Sequence, residues 1–270
     1  MRRLQLNVGI GLTTVVVAMA LLSFVWTPFD PLQVVPADKL AAPGWPHILG
    51  ADGFGIDILS QLLVGARSAL LVGIVSVALA AVVGVPLGII AGQNGGWLDE
   101  LISRLADIVF AFPALLLAIL LAAVYGGSTW TAMVAIGVAT IPAFARTSRA
   151  ATLEVMAADY ILAARACGTR GAKLALKHIW PNIAALVWIQ ASVGFAMAIL
   201  AEAALAYLGL GTPRGTPTWG AMLRDAQGYI FTDPLQALWP GLAIAIAVLG
   251  FNLLGDGLRD VLDPKLREAR

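Results

Sequence analysis

The feature that most constrains this chain is a series of long apolar runs. Six such runs cover residues 8–26, 68–91, 108–124, 130–144, 183–207 and 235–254. A helix needs roughly 20 apolar residues to cross the hydrocarbon core of a bilayer, and most of these runs approach that length. Of the 270 residues, 60% are hydrophobic and only 12% are charged, which is far from the composition of a soluble domain. The sequence therefore predicts an all-α membrane protein with six transmembrane helices in one transmembrane domain, residues 1–270.

The first apolar run has two readings. It follows Arg2 and Arg3, as the apolar part of a secretory signal does. It is long for such a signal, however, and lacks a small-residue cleavage site before Trp26. We expect it to be retained as the first transmembrane helix, with the two arginines acting as orientation charges.

Lysine and arginine are distributed unevenly between the two sides of the predicted bundle. If the N-terminus is cytosolic, thirteen of the 17 lie inside, and these are Arg2, Arg3, Arg104, Arg146, Arg149, Arg165, Arg170, Lys173, Lys177, Arg259, Lys265, Arg267 and Arg270. The other four are Lys39, Arg67, Arg214 and Arg224. Positive charge favours the inside, so we expect a multi-pass protein of the cytoplasmic (inner) membrane with both termini in the cytosol.

Three connections between the runs are long enough to hold structure of their own. The outer loop at about 27–66 contains four Asp among Pro and Gly, which suggests an ordered cap near the outer membrane face. A cytosolic segment covers about 146–182. A second outer loop covers about 211–234, where we expect aromatic residues such as Trp219 to anchor the membrane interface.

A basic stretch at residues 160–182 lies within the cytosolic segment. Its basic side chains are Arg165, Arg170, Lys173, Lys177 and His178. Cationic groups are costly in lipid, so this stretch is expected to face water and a macromolecular partner.

Small residues in the same stretch point to close contact with that partner. Ala163, Ala164 and Gly168 would let another surface approach the backbone. Gly168 and Gly171 permit the bend that returns the chain to the membrane. Pro181 is then suited to open the next helix.

Polar groups at membrane depth are few. The main ones are Glu202, Gln190 and Asn252. Of these, Gln190 and Glu202 are the candidates for a translocation path, although Glu202 is interpreted first as a satisfied polar group near the outer end of its helix. Pro113 and Pro142 would kink or break their helices, which suits a path that opens and closes. A proton-coupled or sodium-coupled carrier usually needs more polar sites, so a secondary carrier or a channel is the remote alternative.

A stripe of glycines runs along the second apolar run. Gly84, Gly88 and Gly92 recur at four-residue spacing, which places them on one face of a helix. Small residues at this spacing let two helices in a membrane approach closely. We therefore interpret the stripe as a surface for helix packing in preference to the lining of a pore.

The chain lacks a nucleotide-binding motif. No lysine follows a glycine, which excludes a phosphate-binding loop of the GxxxxGK[ST] kind. If ATP drives movement here, a separate polypeptide must bind it. We expect neither an enzyme nor a catalytic, cofactor or metal site in this chain.

Several stretches resemble one known family. The sequence AARACG at 163–168, followed thirteen residues after its glycine by Pro181, is similar to the EAA loop of permease subunits in bacterial ABC importers. Leu162 and Trp180 stand where that motif has Glu and Leu. Four further stretches resemble the C-type permease of the dipeptide, oligopeptide and nickel group. They are HILGADGFGIDILSQLLVGAR (47–67), GGWLDELISRLADIVFAFPALLLA (95–118), AEAALAYLGLG (201–211) and FNLLGDGLRDVLDPKLR (251–267).

The resemblance implies a type I ABC importer permease (MetI-like) fold with a cytosolic coupling helix. The implied partners are a related permease subunit in a heterodimer, two cytosolic ABC ATPase subunits that hold ATP and Mg, an extracytoplasmic substrate-binding protein and the lipid bilayer, but no nucleic acid. The implied coupling residues are Asp159, Tyr160, Ala163, Ala164, Arg165, Gly168, Thr169, Arg170 and Pro181. The implied cargo is a dipeptide or oligopeptide, with nickel or a metal chelate as the alternative.

Overall fold

A computed structural model describes residues 2–211 and 215–262 of the chain. The part of the chain so described is mostly helical and contains no β-strand. In order, the elements are α1 (Arg2–Val25), a 3₁₀ turn (Pro36–Asp38), α2 (Ile58–Asn94), α3 (Gly96–Ala111), α4 (Ala114–Tyr125), α5 (Thr129–Met156), α6 (Asp159–Ala166), α7 (Gly171–Leu174), a π-helical turn (Ala175–Ile179), α8 (Trp180–Tyr207), α9 (Trp219–Ala226), a 3₁₀ turn (Gln227–Tyr229) and α10 (Leu235–Leu262). Outside the described residues lie part of the predicted outer loop at 211–234 and the predicted orientation charges Arg214, Lys265, Arg267 and Arg270.

The helices have the lengths that a membrane bundle requires. Within the described ranges, α1, α2, α5, α10 and the continuous stretch Gly171–Tyr207 are each long and apolar enough to cross a bilayer. Together, α3 and α4 make a sixth span if they are counted as one broken helix. The prediction of an all-α membrane fold is confirmed, with five spans among the described residues, or six if the bent pair counts as one.

The third predicted span, residues 108–124, is wrong as a single helix. α3 and α4 meet at a break where their axes bend by 80°. Pro113 has no N–H to continue a helical ladder, and it disfavours helical backbone at Phe112, whose φ and ψ are −85° and 123°. Pro113 is expected either to kink or to break its helix, and the structure shows a break.

Two helices, α2 and α5, extend furthest beyond their predicted limits. α2 begins ten residues before position 68, because the Asp57 side chain accepts a hydrogen bond from the Ser60 N–H at 2.8 Å and so caps the helix. The outer loop predicted at 27–66 therefore ends at Asp57. α5 continues twelve residues past position 144, and it includes Pro142 without a break in the helix.

Helices also occupy most of the cytosolic segment predicted at 146–182. Only residues 157–158 and 167–170 of that segment lie outside a helical element. Pro181 is the second residue of α8, but α7 and the π-helical turn lead into α8 without a break. Pro181 therefore stands near the start of α8, as predicted, but it does not open the helical stretch, which begins at Gly171.

The second outer loop contains a short helix, α9, that packs into the bundle. Thr218 caps this helix by accepting a hydrogen bond from the Ala221 N–H at 3.2 Å. The Trp219 side chain is 1% exposed, and its Nε1–H donates to the Leu62 carbonyl oxygen at 3.0 Å. A buried indole N–H needs such a partner. The expectation that Trp219 anchors the membrane interface is wrong.

The most extensive helix packing joins α2 to α5. At Gly84, Gly88 and Gly92 an added Cβ would meet atoms of α5 at less than 3 Å. The Cβ on Gly92 would lie 2.8 Å from the Thr152 Cβ, and the one on Gly88 would overlap the Ala145 carbonyl oxygen. Only glycine permits backbones to approach this closely. The predicted packing stripe is confirmed.

Replacing Gly88 with alanine should destabilise the bundle. The new Cβ would overlap a carbonyl oxygen of α5, which cannot move without shifting the helix, so we expect Gly88→Ala to cost about 1–3 kcal/mol. Gly11→Ala is the matched control, because Gly11 is also helical and its Cβ would meet open space. There the helix preference of alanine favours folding by up to about 1 kcal/mol. Thermal unfolding in detergent should therefore show a lower Tm only for Gly88→Ala, and equal shifts would contradict the packing assigned to α2.

Candidate functional site

α6 is a short, exposed helix held to the bundle mainly by one side chain. Ile161 is fully buried and belongs to a cluster with Leu174 and Ile179. Ala164 packs against the same cluster. The remaining α6 residues are exposed, namely Asp159, Tyr160, Leu162, Ala163, Arg165 and Ala166. The arrangement leaves most of the helix surface available to another molecule.

The end of α6 is fixed by a tight glycine turn. Gly168 has a φ of 82°, and its N–H donates to the Arg165 carbonyl oxygen at 2.9 Å. The Thr169 N–H donates to the Ala164 carbonyl oxygen at 3.0 Å. These two bonds form a Schellman motif, for which a residue with positive φ is required. The predicted bend at Gly168 is confirmed.

Space around this turn is open. A Cβ on Gly168 or Gly171 would meet no atom within 4 Å. Both residues have positive φ, so backbone conformation and not crowding within this chain requires glycine. The absent side chains leave a flat area beside α6.

The charged residues around α6 are mostly cationic and exposed. They are Arg165, Arg170, Lys173 and Lys177. In the portion of the chain that the structure covers, none of the four joins an ion pair. Unpaired cations on an exposed surface favour the approach of an acidic partner.

Two ion pairs tie α3 to α5. The guanidinium of Arg149 donates two hydrogen bonds to the Asp99 carboxylate, one of them from Nη2 to Oδ2 at 2.6 Å. Arg146 Nη2 donates to Asp107 Oδ1 at 2.6 Å. The same guanidinium lies 4.4 Å from the centroid of the Phe110 ring. The two pairs hold α3 against α5, with the bend at Pro113 beyond them.

Sequence reasoning missed these pairs. It placed Arg146 and Arg149 among the orientation charges and assigned them no partner. A signal was present, because Asp99 and Asp107 are spaced to share one side of α3, as Arg146 and Arg149 are on α5. The partners are 39 and 50 residues apart in sequence, so spacing alone could not match them.

The four residues predicted to line a path do not form one site. Gln190 accepts a hydrogen bond from the Thr147 hydroxyl at 3.3 Å, which links α8 to α5. Glu202 lies twelve residues further along α8, or about 18 Å away. Pro113 is exposed at the break between α3 and α4, whereas Pro142 is buried within α5.

Glu202 is more deeply buried and less satisfied than the sequence suggests. Its residue is 2% exposed. Oε1 of its carboxyl group has no hydrogen-bond partner among the described residues. The expectation of a fully satisfied polar group is therefore wrong for that oxygen.

Comparison with known proteins identifies relatives along nearly the whole chain. Residues 84–268 match the family described as binding-protein-dependent transport system inner membrane component. The chain is 41% identical to the dipeptide transport system permease protein DppC of Alkalihalophilus pseudofirmus, over 96% of this chain and 86% of that protein. It is 42% identical to DppC of Escherichia coli K12, over 96% and 89% of the two chains. It is 40% identical to the glutathione transport system permease protein GsiD of Pectobacterium atrosepticum, over 98% and 89%.

A solved structure shares the fold. The MetNI methionine ABC transporter in inward-facing conformations matches with a TM-score of 0.64 at 21% identity, over 75% of this chain and 97% of that one. At this identity the likeness concerns the fold alone. It confirms the MetI-like architecture expected from the sequence.

The bond between α3 and α5 can be measured with a double-mutant cycle. We expect Asp99→Ala and Arg149→Ala to show a coupling energy of about 1 kcal/mol or more, because the pair is bidentate and partly buried. Glu100 and Arg104 form the control pair on the exposed face of α3, where coupling should be below about 0.5 kcal/mol. Equal coupling in both cycles, read from thermal or chemical unfolding, would contradict the role given to Asp99.

Proposed function

We propose that this permease subunit of an ABC importer, which belongs to the family of binding-protein-dependent transport system inner membrane components, carries short peptides. Support for the cargo comes from the relatives at 40–42% identity, which are named for dipeptide and glutathione transport. None of the relatives named above is named for the alternative cargo, nickel or a metal chelate. A secondary carrier or a channel finds no support in the family.

The observation that carries the coupling role is the exposed surface of α6. Its small residues and the open space beside Gly168 leave room for a partner, and the cations around it are unpaired within the described chain. We assign the partner as a cytosolic ABC ATPase, two copies of which would hold ATP and Mg. Asp159, Tyr160, Ala163, Ala164, Arg165, Thr169 and Arg170 are the other contact residues of this proposal.

Movement of α6 has a mechanical route into the bundle. Ile161 packs in a cluster that includes Ile179 and Ile183 at the start of α8. Val85 and Ile89 of α2 belong to the same cluster. Packed side chains have few alternative arrangements, so a displacement of α6 by the ATPases would shift the inner ends of α2 and α8 together.

A second permease subunit and a binding protein complete the proposed transporter. α3 has no buried residue among those described, although it carries apolar side chains such as Leu105 and Ile108. We assign part of this surface to a related permease subunit in a heterodimer, with lipid covering the rest. The binding protein would dock on the outer loops and deliver the peptide.

Placing tryptophan at Gly168 should uncouple the transporter. The bulky side chain would occupy the space proposed for the ATPase, so uptake of labelled dipeptide should fall at least about tenfold while the chain still accumulates in the membrane. Gly126→Trp is the matched control, because Gly126 also has positive φ and open space but follows α4. Wild-type uptake by Gly168→Trp would contradict the docking role, and a transporter that takes up nickel but no peptide would contradict the cargo.

Thiol labelling tests the proposed orientation, with both termini and α6 in the cytosol. Cys167 is exposed at the end of α6, and Trp45 is 94% exposed in the outer loop. An impermeant maleimide should therefore label Trp45→Cys in a Cys167→Ser background in intact cells but leave native Cys167 unlabelled. Both positions should react once the cells are lysed and their proteins are denatured, which also exposes any residue that a partner covers. Labelling of Cys167 in intact cells would overturn the orientation.

A further inference from the structure

His47 lies between two carboxylates in the outer loop that precedes α2. The residue is 5% exposed. Its Nδ1 is 3.0 Å from Asp57 Oδ1, and its Nε2 is 3.4 Å from Asp38 Oδ2. The Phe29 ring covers one side, with its centroid 4.6 Å from that of the imidazole. Both ring nitrogens therefore face an acidic oxygen.

This geometry suits only the protonated ring. A neutral imidazole has one N–H and one lone pair, whereas an ionised carboxylate only accepts hydrogen bonds. Asp57 behaves as an ionised acceptor, because its Oδ2 also receives hydrogen bonds from the Ser60 N–H at 2.8 Å and the Ser60 hydroxyl at 2.7 Å. A neutral His47 would have to turn a lone pair towards one of the two carboxylates.

Among the described residues, no other charged group contacts His47. The other charged side chains of the loop and of the start of α2 have different partners. Lys39 lies over the Tyr229 ring at 5.9 Å from its centroid. Asp30 accepts from the Leu32 N–H. Asp52 accepts from the Gln61 side chain, and Arg67 donates to the Ser23 hydroxyl.

The same contacts connect the loop to α2. Asp57 is the N-cap of α2, so the residue that binds His47 also begins the helix. The Ser60 hydroxyl accepts a hydrogen bond from the Phe29 N–H at 3.0 Å, which fastens the start of the loop to the first turn of α2. Asp38 ends the 3₁₀ turn in the middle of the loop. His47 thus joins the middle of the outer loop to the outer end of the helix.

We propose that His47 is a positioning residue which, as an imidazolium, clamps the outer loop onto the N-terminus of α2, and that loss of its proton releases the loop. The clamp concerns the loop itself and does not depend on the peptide cargo. Its consequence for transport rests on the proposed function, since a binding protein would dock on this loop. Uptake would then depend on the pH outside the cell.

The direction of the pH effect follows from the surroundings of the ring. Burial by itself lowers the pKa of His47, but the hydrogen bonds and charges of Asp57 and Asp38 together outweigh it, so the pKa is raised above its usual value near 6.5. A raised pKa in the folded state means that the clamp is fully formed below the unfolded pKa. The clamp is lost as the pH rises through the folded pKa.

Accessibility of Ala51 reports the state of the loop. Ala51 is fully buried and pairs with Asp57 through backbone contacts, whereas Ala42 in the same loop is exposed. Both cysteines are introduced separately in a Cys167→Ser background, and the labelling rate of Ala51→Cys is divided by that of Ala42→Cys. This ratio cancels the pH dependence of the thiol reaction itself. As the pH is raised from about 6 to about 9, the ratio of the two labelling rates should increase. The increase should be about tenfold for each unit by which the His47 pKa in the closed loop exceeds its pKa in the open loop.

Carboxylate variants distinguish the clamp from a merely structural histidine. Asp38→Asn removes one of the two charges and should move the midpoint of the pH profile to lower pH. Asp30→Asn, in the same loop but bonded to Leu32, should leave it unchanged. His47→Gln should give a high ratio with no pH dependence.

Two results would overturn the clamp. One is a ratio that stays constant with pH in the chain with native His47, and the other is the same midpoint for Asp38→Asn and Asp30→Asn. If Ala51→Cys does not accumulate, amide hydrogen exchange across residues 44–60 of the full chain can replace labelling. After correction for the intrinsic exchange rate, its pH profile is compared in the same way between native His47, Asp38→Asn and Asp30→Asn. Neither readout involves transport, so failure of the clamp is distinct from failure of the proposed function.

Discussion

The close contact between α2 and α5 is the constraint on which the rest of the structure depends. Gly88 and its two neighbours in the stripe bring the helices together so tightly that each fixes the course of the other. α2 has 37 residues and is therefore about 55 Å long, which exceeds the thickness of the hydrocarbon core. α5 also continues past its apolar part, and this continuation leads into α6 at the end of the bundle that we propose faces the cytosol.

α2 consequently links the two regions to which function is assigned. At its N-terminal end, Asp57 caps the helix and holds His47. At its C-terminal end, the Gln93 side chain donates to the Gly171 carbonyl oxygen at 3.2 Å, just beyond the turn that ends α6. A rigid helix with such contacts at both ends suits a machine in which events on one face of the membrane alter the other. The bent pair of α3 and α4 lies beside this frame and is tied to it through Arg149.

Much of the fold and part of the site could be predicted because their signals are local. Gly168 needs a positive φ to end a short helix, so its place in the sequence alone indicated the turn after α6. The pairing of Asp99 with Arg149 could not be predicted, because the two residues are 50 positions apart in the sequence and lie on different helices. Trp219 was misassigned for a related reason, since its carbonyl partner lies 157 residues earlier in the chain. Contacts of this kind depend on the tertiary fold and leave no periodic pattern.

Purification of the tagged full-length chain in mild detergent, with mass spectrometry of what accompanies it and an ATPase assay, tests most directly whether this subunit works through separate ATPases. We predict recovery of a second permease and of ABC ATPase subunits, with ATP hydrolysis that a peptide-loaded binding protein stimulates. A stable homo-oligomer without ATPase, recovered from membranes that support uptake, would contradict the coupling role given to α6.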